Sequence, residues 1–340
     1  MEFRQYIGHE IGMKMCMMGP KGVGKTSILT SIFSGTQSDL IKTNLSIRAQ
    51  GTTLTEIEEK EYLFEKIFAN RESIADRPAN GLLSSSEVST FDFQFGLKGK
   101  ESKVNLRVKD FPGEYVRTSP DDVISFIDES SAILIAIDTP HLMEQDGKFA
   151  EVKNQIETIT RFFASSFSQL SSDKLVMLVP LKCEKYLYEG RMNDVMLRVE
   201  EAYSTLIRFF KSKGNIACAI TPILTLGGVV FSHFSSNLNS DGVPAEVDYK
   251  FYEDNPTYSP MFCAQPLYYV LSFAAAQYQK NKKNLSVVKK IFSTLYSLFE
   301  NDKDLYNEIL KMNKFRLVDD PDLGYKLLCG EKLSSVDMSI

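Results

Sequence analysis

The stretch "GPKGVGKTS", Gly19 to Ser27, follows the apolar run "MKMCMM" (Met13 to Met18) and leads into "ILTSIFSG" (Ile28 to Gly35). The apolar run predicts a strand, and Ile28, Leu29, Ile32 and Phe33 predict a short helix beginning at Lys25. Glycines between a strand and a helix let backbone N–H groups curl around phosphate oxygens, where the helix dipole adds positive potential. The spacing Gly19-x4-Gly24-Lys25-Thr26 lets a lysine reach β- and γ-phosphates and sets a hydroxyl to ligate magnesium. Gly19, Gly22, Val23, Gly24, Lys25, Thr26 and Ser27 are therefore the expected phosphate cradle. A glycine-rich turn before a helix, without ligand, is the plainer alternative.

Composition permits a sizeable core. Of 340 residues, 43% are hydrophobic and 24% charged, and the formal net charge is -5. That balance argues against nucleic acid as the partner, because neutralising phosphates along a strand needs clustered Lys and Arg. Cys16, Cys183, Cys218, Cys263 and Cys329 are scattered, with no Cys-x-x-Cys pair, and only three histidines are present. Neither a zinc site nor a disulfide framework is expected. No apolar run approaches the roughly 18 residues of a membrane span, and the start of the sequence lacks a signal-peptide core. A cytoplasmic protein is the expectation.

Further along, "TFDFQFGLKG" (Thr90 to Gly99) and "SKVNLRVKDF" (Ser102 to Phe111) alternate apolar and polar residues and predict a hairpin. The second strand runs into "DFPGEY", Asp110 to Tyr115. "SAILIAIDTP" (Ser131 to Pro140) is a continuous apolar run, as in a parallel strand buried on both faces. "DKLVMLVPLKCEKY" (Asp173 to Tyr186) and "NIACAITPILTLG" (Asn215 to Gly227) give two more strands. Between them, Val195, Val199, Tyr203, Leu206 and Phe210 mark a helical stripe. The fold class is α/β: a P-loop NTPase with a mostly parallel six-stranded sheet, one antiparallel strand before Asp110, and flanking helices.

An Asp-x-x-Gly after a P-loop and a hairpin resembles Ras-like and translation-factor-like GTPases. More narrowly, "GPKGVGKTS", "DFPGE", "VPLKCEKY" and "YSPMFCAQPLYYVL" resemble bacterial GTPase-like proteins of the TRAFAC class, often grouped with conflict or defence systems. The resemblance implies that Asp110 and Thr26 hold magnesium and that the Gly113 N–H senses the γ-phosphate. It implies too that "LKCE" (Leu181 to Glu184) stands where the family carries Asn-Lys-x-Asp, and that the loop after the next strand backs the base. Lys182 would pack along the base and Glu184 would accept its hydrogen bonds. "PKGVGKT" is also similar to the variant loop of ParA-like ATPases, but Lys21 stands one step late for their dimer-spanning lysine, so it reads as a solvated loop residue.

Departures matter as much. Leu181 and Glu184 replace the family's asparagine and aspartate, and the extra methylene of Glu184 shifts the carboxylate, so GTP is expected with ATP possible. Glu114 stands where Ras-like enzymes carry a water-orienting glutamine, which implies slow hydrolysis unless Arg117 or a partner offsets its charge. The plainer reading of Arg117, and the favoured one, is a solvated or salt-bridged surface residue. Lys25, Glu114 and Arg117 are the catalytic candidates. For the first switch, Ser85 or Ser86 in "LLSSSEVST" would close over the metal, with Ser86 taken as the third ligand. Thr53 or Thr55 reads as a helix cap.

The distance from Lys25 to Asp110 is about twice that of a minimal Ras-like domain, which predicts a helical insertion at about 40–89. Residues 1–282 are expected to form the nucleotide domain and 283–340 a helical extension, with amphipathic stretches at Leu285 to Glu300 and Asp304 to Phe315. Phe234 to Pro260 reads as a long surface loop. The expected function is a magnesium-dependent GTP-binding and GTP-hydrolysing switch that signals to a protein effector or partner subunit, with nucleotide-dependent oligomerisation possible. A small-molecule kinase and a nucleotide-binding scaffold without turnover are the alternatives.

Overall fold

The computed structural model describes residues 11–40, 43–70, 88–102, 104–166, 173–281, 299–300, 302–314 and 326–330. Strand β1 (Ile11–Met18) enters the glycine loop, and helix α1 (Lys25–Leu40) leaves it. Along β1, Met13, Met15 and Met17 join the core on one face while Cys16 and Met18 join the core on the other. A strand buried on both faces calls for apolar residues on both, which is why Met15 to Met18 does not alternate.

β2 (Leu45–Ala49) and α2 (Thr52–Asn70) follow, then β3 (Ser89–Leu97) and β4 (Val104–Asp110), paired antiparallel from Ser89 opposite Asp110 to Phe95 opposite Val104. After β4 come α3 (Tyr115–Thr118), α4 (Pro120–Glu129), β5 (Ala132–Asp138), α5 (Thr139–Met143), α6 (Ala150–Asn154) and α7 (Ile156–Ser166). β6 (Lys174–Leu181), α8 (Glu184–Tyr188), α9 (Met192–Ala202), α10 (Ser204–Lys213) and β7 (Ile216–Ile220) complete the regular alternation. The rest of the described chain holds β8 (Val229–Phe234), β9 (Val247–Phe251), α11 (Gln265–Asn281), a helix at Lys303–Lys314 and β10 (Lys326–Cys329).

The main sheet runs β10-β7-β6-β5-β1-β4-β3-β2. Its centre, β7-β6-β5-β1-β4, is parallel, and β3 is antiparallel to β4 as expected. Two edge strands extend the expected six: β2 runs antiparallel to β3, and β10 antiparallel to β7. α1, α11 and the Lys303–Lys314 helix cover one face, with Ile57 of α2 in the same core; α4, α7, α9 and α10 cover the other. Every residue of β5 and β6 is buried. Burying a large aliphatic side chain contributes about 1.5–3 kcal/mol, so this central pair anchors whatever is mounted at its C-terminal end.

Three expectations change shape. The helical stripe from Val195 to Phe210 is buried throughout, but the backbone breaks at Tyr203 into α9 and α10. The expected surface loop Phe234 to Pro260 contains β9, whose pairing with β8 forms a separate two-stranded sheet. The tail is not purely helical: β10 closes the sheet edge, and Phe299, Leu305, Tyr306, Ile309 and Leu310 enter the main core. Most of the stretch Leu285 to Glu300 lies outside the described residues.

Candidate functional site

The parallel strands β1, β5 and β6 and the neighbouring β4 all end on one side of the sheet, where a doubly wound fold gathers ligand-binding loops. The glycine loop folds there under tight constraint. Gly19 has φ +151°, and a Cβ on it would stand 2.8 Å from the Ala136 carbonyl oxygen. Lys25 is buried, and its ammonium donates to the carbonyl oxygens of Gly19 (3.1 Å) and Pro20 (3.4 Å). Burial pushes its pKa down while Asp110 pulls it back up. Val23 and Ser27 are buried, whereas Gly24 and Thr26 are half-buried at the loop's exit into α1.

Asp110, the last residue of β4, is also buried, with Oδ1 3.7 Å from the Lys25 ammonium. That separation makes an ion pair but no hydrogen bond, and Oδ1 is a buried oxygen without a hydrogen-bond partner. That oxygen therefore keeps its acceptor capacity for a ligand at the mouth of the loop. Burial raises this carboxyl's pKa to about 6, against the opposing pull of Lys25. A hard, oxygen-seeking magnesium ion fits such a donor, and Thr26 offers the second oxygen. Ser86, the expected third ligand, and its neighbour Ser85 lie outside the described residues. Thr53 is in the first turn of α2, but its hydroxyl accepts the Asp92 N–H of β3 at 2.9 Å, so it ties helix to sheet rather than capping the helix.

The loop after β4 presses against the cradle. Phe111 N–H donates to the Met17 carbonyl at 2.9 Å, and a Cβ on Gly113 would meet the Gly19 carbonyl oxygen at 2.8 Å and Pro20 Cα at 3.4 Å. Gly113→Ala should therefore force backbone apart and destabilise the protein by about 1–3 kcal/mol. Chemical denaturation reads this directly, and an unshifted midpoint would mean that the two loops do not touch. Glu114 is exposed and precedes α3, and Arg117 is exposed at that helix's last turn.

At the other end of the cradle, Lys182 adopts φ +60°, and its ammonium donates to Asp138 Oδ2 (2.8 Å) and the Gly22 carbonyl (3.1 Å). Leu181 packs beside Gly24 instead of hydrogen-bonding to it: a Cβ there would be 4.0 Å from Leu181 Cδ1. Glu184 opens α8 and is buried, with Oε1 accepting the Leu226 N–H at 3.3 Å. Burial raises its pKa to about 7, although backbone donors at Leu226 and Gly227 and the Lys182 charge oppose this. "LKCE" and the loop after β7 thus meet through the Leu226 N–H bond to Glu184.

Motif reading missed Asp138, His141, Lys153 and Asn154. Asp138 is fully buried, 2.6 Å from His141 Nδ1, and its backbone N–H donates to Asn154 Oδ1 at 2.7 Å. The signal was available: a carboxylate closing the apolar run "AILIAID" suits a helix cap, which it is for α5, and once buried it calls for a charged partner.

A family description named Double-GTPase 2 matches residues 15–212, more than half of the chain. No curated protein matches it. Similar solved structures include the S. cerevisiae Ski7 GTPase-like domain bound to GDP and inorganic phosphate, 16% identical with TM-score 0.40, covering 83% of this chain and 52% of that one. The same domain bound to GTP is 14% identical with TM-score 0.42, covering 85% and 54%. Bacterial selenocysteine-specific elongation factor EF-Sec is 15% identical with TM-score 0.29, covering 63% and 25%. The chain thus spans about half the length of the Ski7 structures. By the match over 15–212, this chain belongs to the Double-GTPase 2 family.

Proposed function

We propose that the chain binds GTP with magnesium at the Gly19–Ser27 loop and hydrolyses it slowly, acting as a switch toward a protein partner. The observation that carries this reading is the orphaned, buried Asp110 Oδ1 beside Lys25 at the mouth of the glycine loop. Lys25 would exchange its bonds to the Gly19 and Pro20 carbonyls for phosphate oxygens, and Thr26 and Asp110 would hold the metal. Bound magnesium would neutralise charge on the phosphates. Gly113 is the trigger because no larger residue fits against Gly19, so a phosphate that displaces this contact moves the whole Asp110–Glu114 turn. Glu114, an exposed carboxylate at the phosphate end, would orient water, but its charge would oppose that of the γ-phosphate unless Arg117 or a partner offsets it, which keeps turnover low.

Glu184, whose Oε1 accepts the Leu226 N–H in the free protein, would be the acceptor for the guanine N–H groups. A carboxylate acceptor would also meet the adenine amino group, which makes ATP the second reading. Calorimetric titration with non-hydrolysable GTP and ATP analogues, with magnesium and then with EDTA, separates them. Magnesium-dependent binding of the GTP analogue alone is expected. Equal or tighter ATP binding would overturn the guanine assignment, and no binding of either would overturn the site.

The titration should depend on pH with a definite sign. Only ionised Glu184 presents both carboxylate oxygens as acceptors, so base affinity should rise as pH passes upward through about 7 and fall below it. In the free protein the same raised value means that ionisation opposes folding: the stability held by the neutral form is complete below the ordinary value of 4.5 and lost as pH rises through about 7. A Glu184→Gln variant should flatten the affinity profile. An unchanged profile would take Glu184 out of the base pocket.

A further inference from the structure

We propose that Lys153 is a positioning residue of the phosphate cradle, holding the Lys21 carbonyl outward so that the loop's N–H groups face the triphosphate. This rests on the nucleotide reading above and adds a residue to it from outside every motif.

The loop's carbonyls account for themselves one after another. Lys25 takes those of Gly19 and Pro20, Lys153 Nζ donates to Lys21 O at 3.1 Å, and Lys182 Nζ donates to Gly22 O at 3.1 Å. Four consecutive carbonyls are each met by an ammonium. In a phosphate nest successive N–H groups must point inward together, so their carbonyls must be held elsewhere. Lys153 is close enough to matter for the loop's shape: a Cβ on Gly22 would come within 4.0 Å of its Nζ.

The local structure aims this side chain. α6 is one short helix, ended by Gln155 at φ +52°. Its last residue, Asn154, is fully buried and clamps the end of β5, accepting the Asp138 N–H at 2.7 Å and donating to the Asp138 carbonyl at 3.3 Å. That clamp fixes α6 beside the strand whose Ala136 already touches Gly19. Lys153, one residue before the clamp, is therefore directed at the loop by the sheet and not by its own helix.

Charge supports the geometry. Burial lowers the pKa of Lys153, Asp138 opposes this, and Lys182 and Lys25 lower it further. Asp138 is already bonded to Lys182 and His141. Three ammoniums crowd one loop with too little carboxylate between them, an arrangement that a polyphosphate anion would relieve.

The test compares wild type, Lys153→Met, Lys153→Gln and Lys153→Arg by calorimetry with a non-hydrolysable GTP analogue plus magnesium, with inorganic tripolyphosphate, and with guanosine. Loss of one charged hydrogen bond and its cradle alignment should weaken the GTP analogue and tripolyphosphate by roughly 10-fold or more in Met and Gln. Guanosine affinity should be unchanged, and Arg should restore most of the loss. Equal losses for guanosine and the phosphates would reduce Lys153 to general scaffolding and overturn the proposal, as would undiminished triphosphate binding in a folded Met or Gln variant. Should Met not fold, Gln, which keeps the polar stem, carries the same comparison. Wild type that binds no triphosphate would sink the nucleotide reading itself, a result distinct from failure of the lysine alone.

Discussion

Lys25→Ala should cost at least about 100-fold in affinity for a triphosphate with magnesium, because a charged hydrogen bond contributes about 1.5–3 kcal/mol and this ammonium can reach two phosphates. In the free protein Lys25 is not idle: it bonds the Gly19 and Pro20 carbonyls and balances Asp110. Removing it leaves Asp110 alone in a buried site, where the carboxyl already titrates near 6 and would take up a proton more readily still. The variant should therefore remain folded while losing the ligand. Calorimetry on protein whose denaturation midpoint is checked first gives the answer. Wild-type affinity in a folded Lys25→Ala protein would show that the loop is not the phosphate site.

The regions that could be read from residue order alone are those where one strand or one loop determines its own chemistry. β1, the glycine loop and α1 are contiguous, so spacing is geometry there. β5 and β6 are buried on both faces and announce it by being apolar throughout. β9 was not visible because "VDYKF" is short, half-exposed and set in a polar run; only its pairing with β8 makes it a strand. β10 is similar: "KLLC" becomes an edge strand through β7, more than a hundred residues earlier. The contacts that charged groups make behind the cradle were hidden for the same reason. Lys153 meets Lys21, and Lys182 meets Gly22, only after the sheet has ordered β1, β5 and β6 side by side.

Asp138 is where that ordering should be most costly to undo. Its carboxylate has no solvent exposure and holds the Lys182 ammonium at 2.8 Å, His141 Nδ1 at 2.6 Å and the His141 backbone N–H at 3.3 Å. Burial alone would raise its pKa, yet Lys182 and His141 overcome burial and hold it well below the ordinary carboxylate value. A depressed folded-state value means that its stabilisation is present above about pH 4 and is lost as pH falls further toward the folded value. Removing one partner of a buried pair strands the other, at a cost of about 3–5 kcal/mol. Lys182 keeps some contact with water, so the lower end of that range is expected for Asp138→Ala, measured by chemical denaturation at neutral pH. Asp138→Asn keeps the shape and one acceptor but not the charge, and should fall between wild type and alanine. A loss below about 1 kcal/mol in Asp138→Ala would mean that Lys182 finds another partner, and the cradle's carbonyl support would then not depend on β5. Loss of stability together with weakened triphosphate binding would tie fold and site to the same carboxylate, since one ammonium, that of Lys182, bonds both Asp138 and the Gly22 carbonyl.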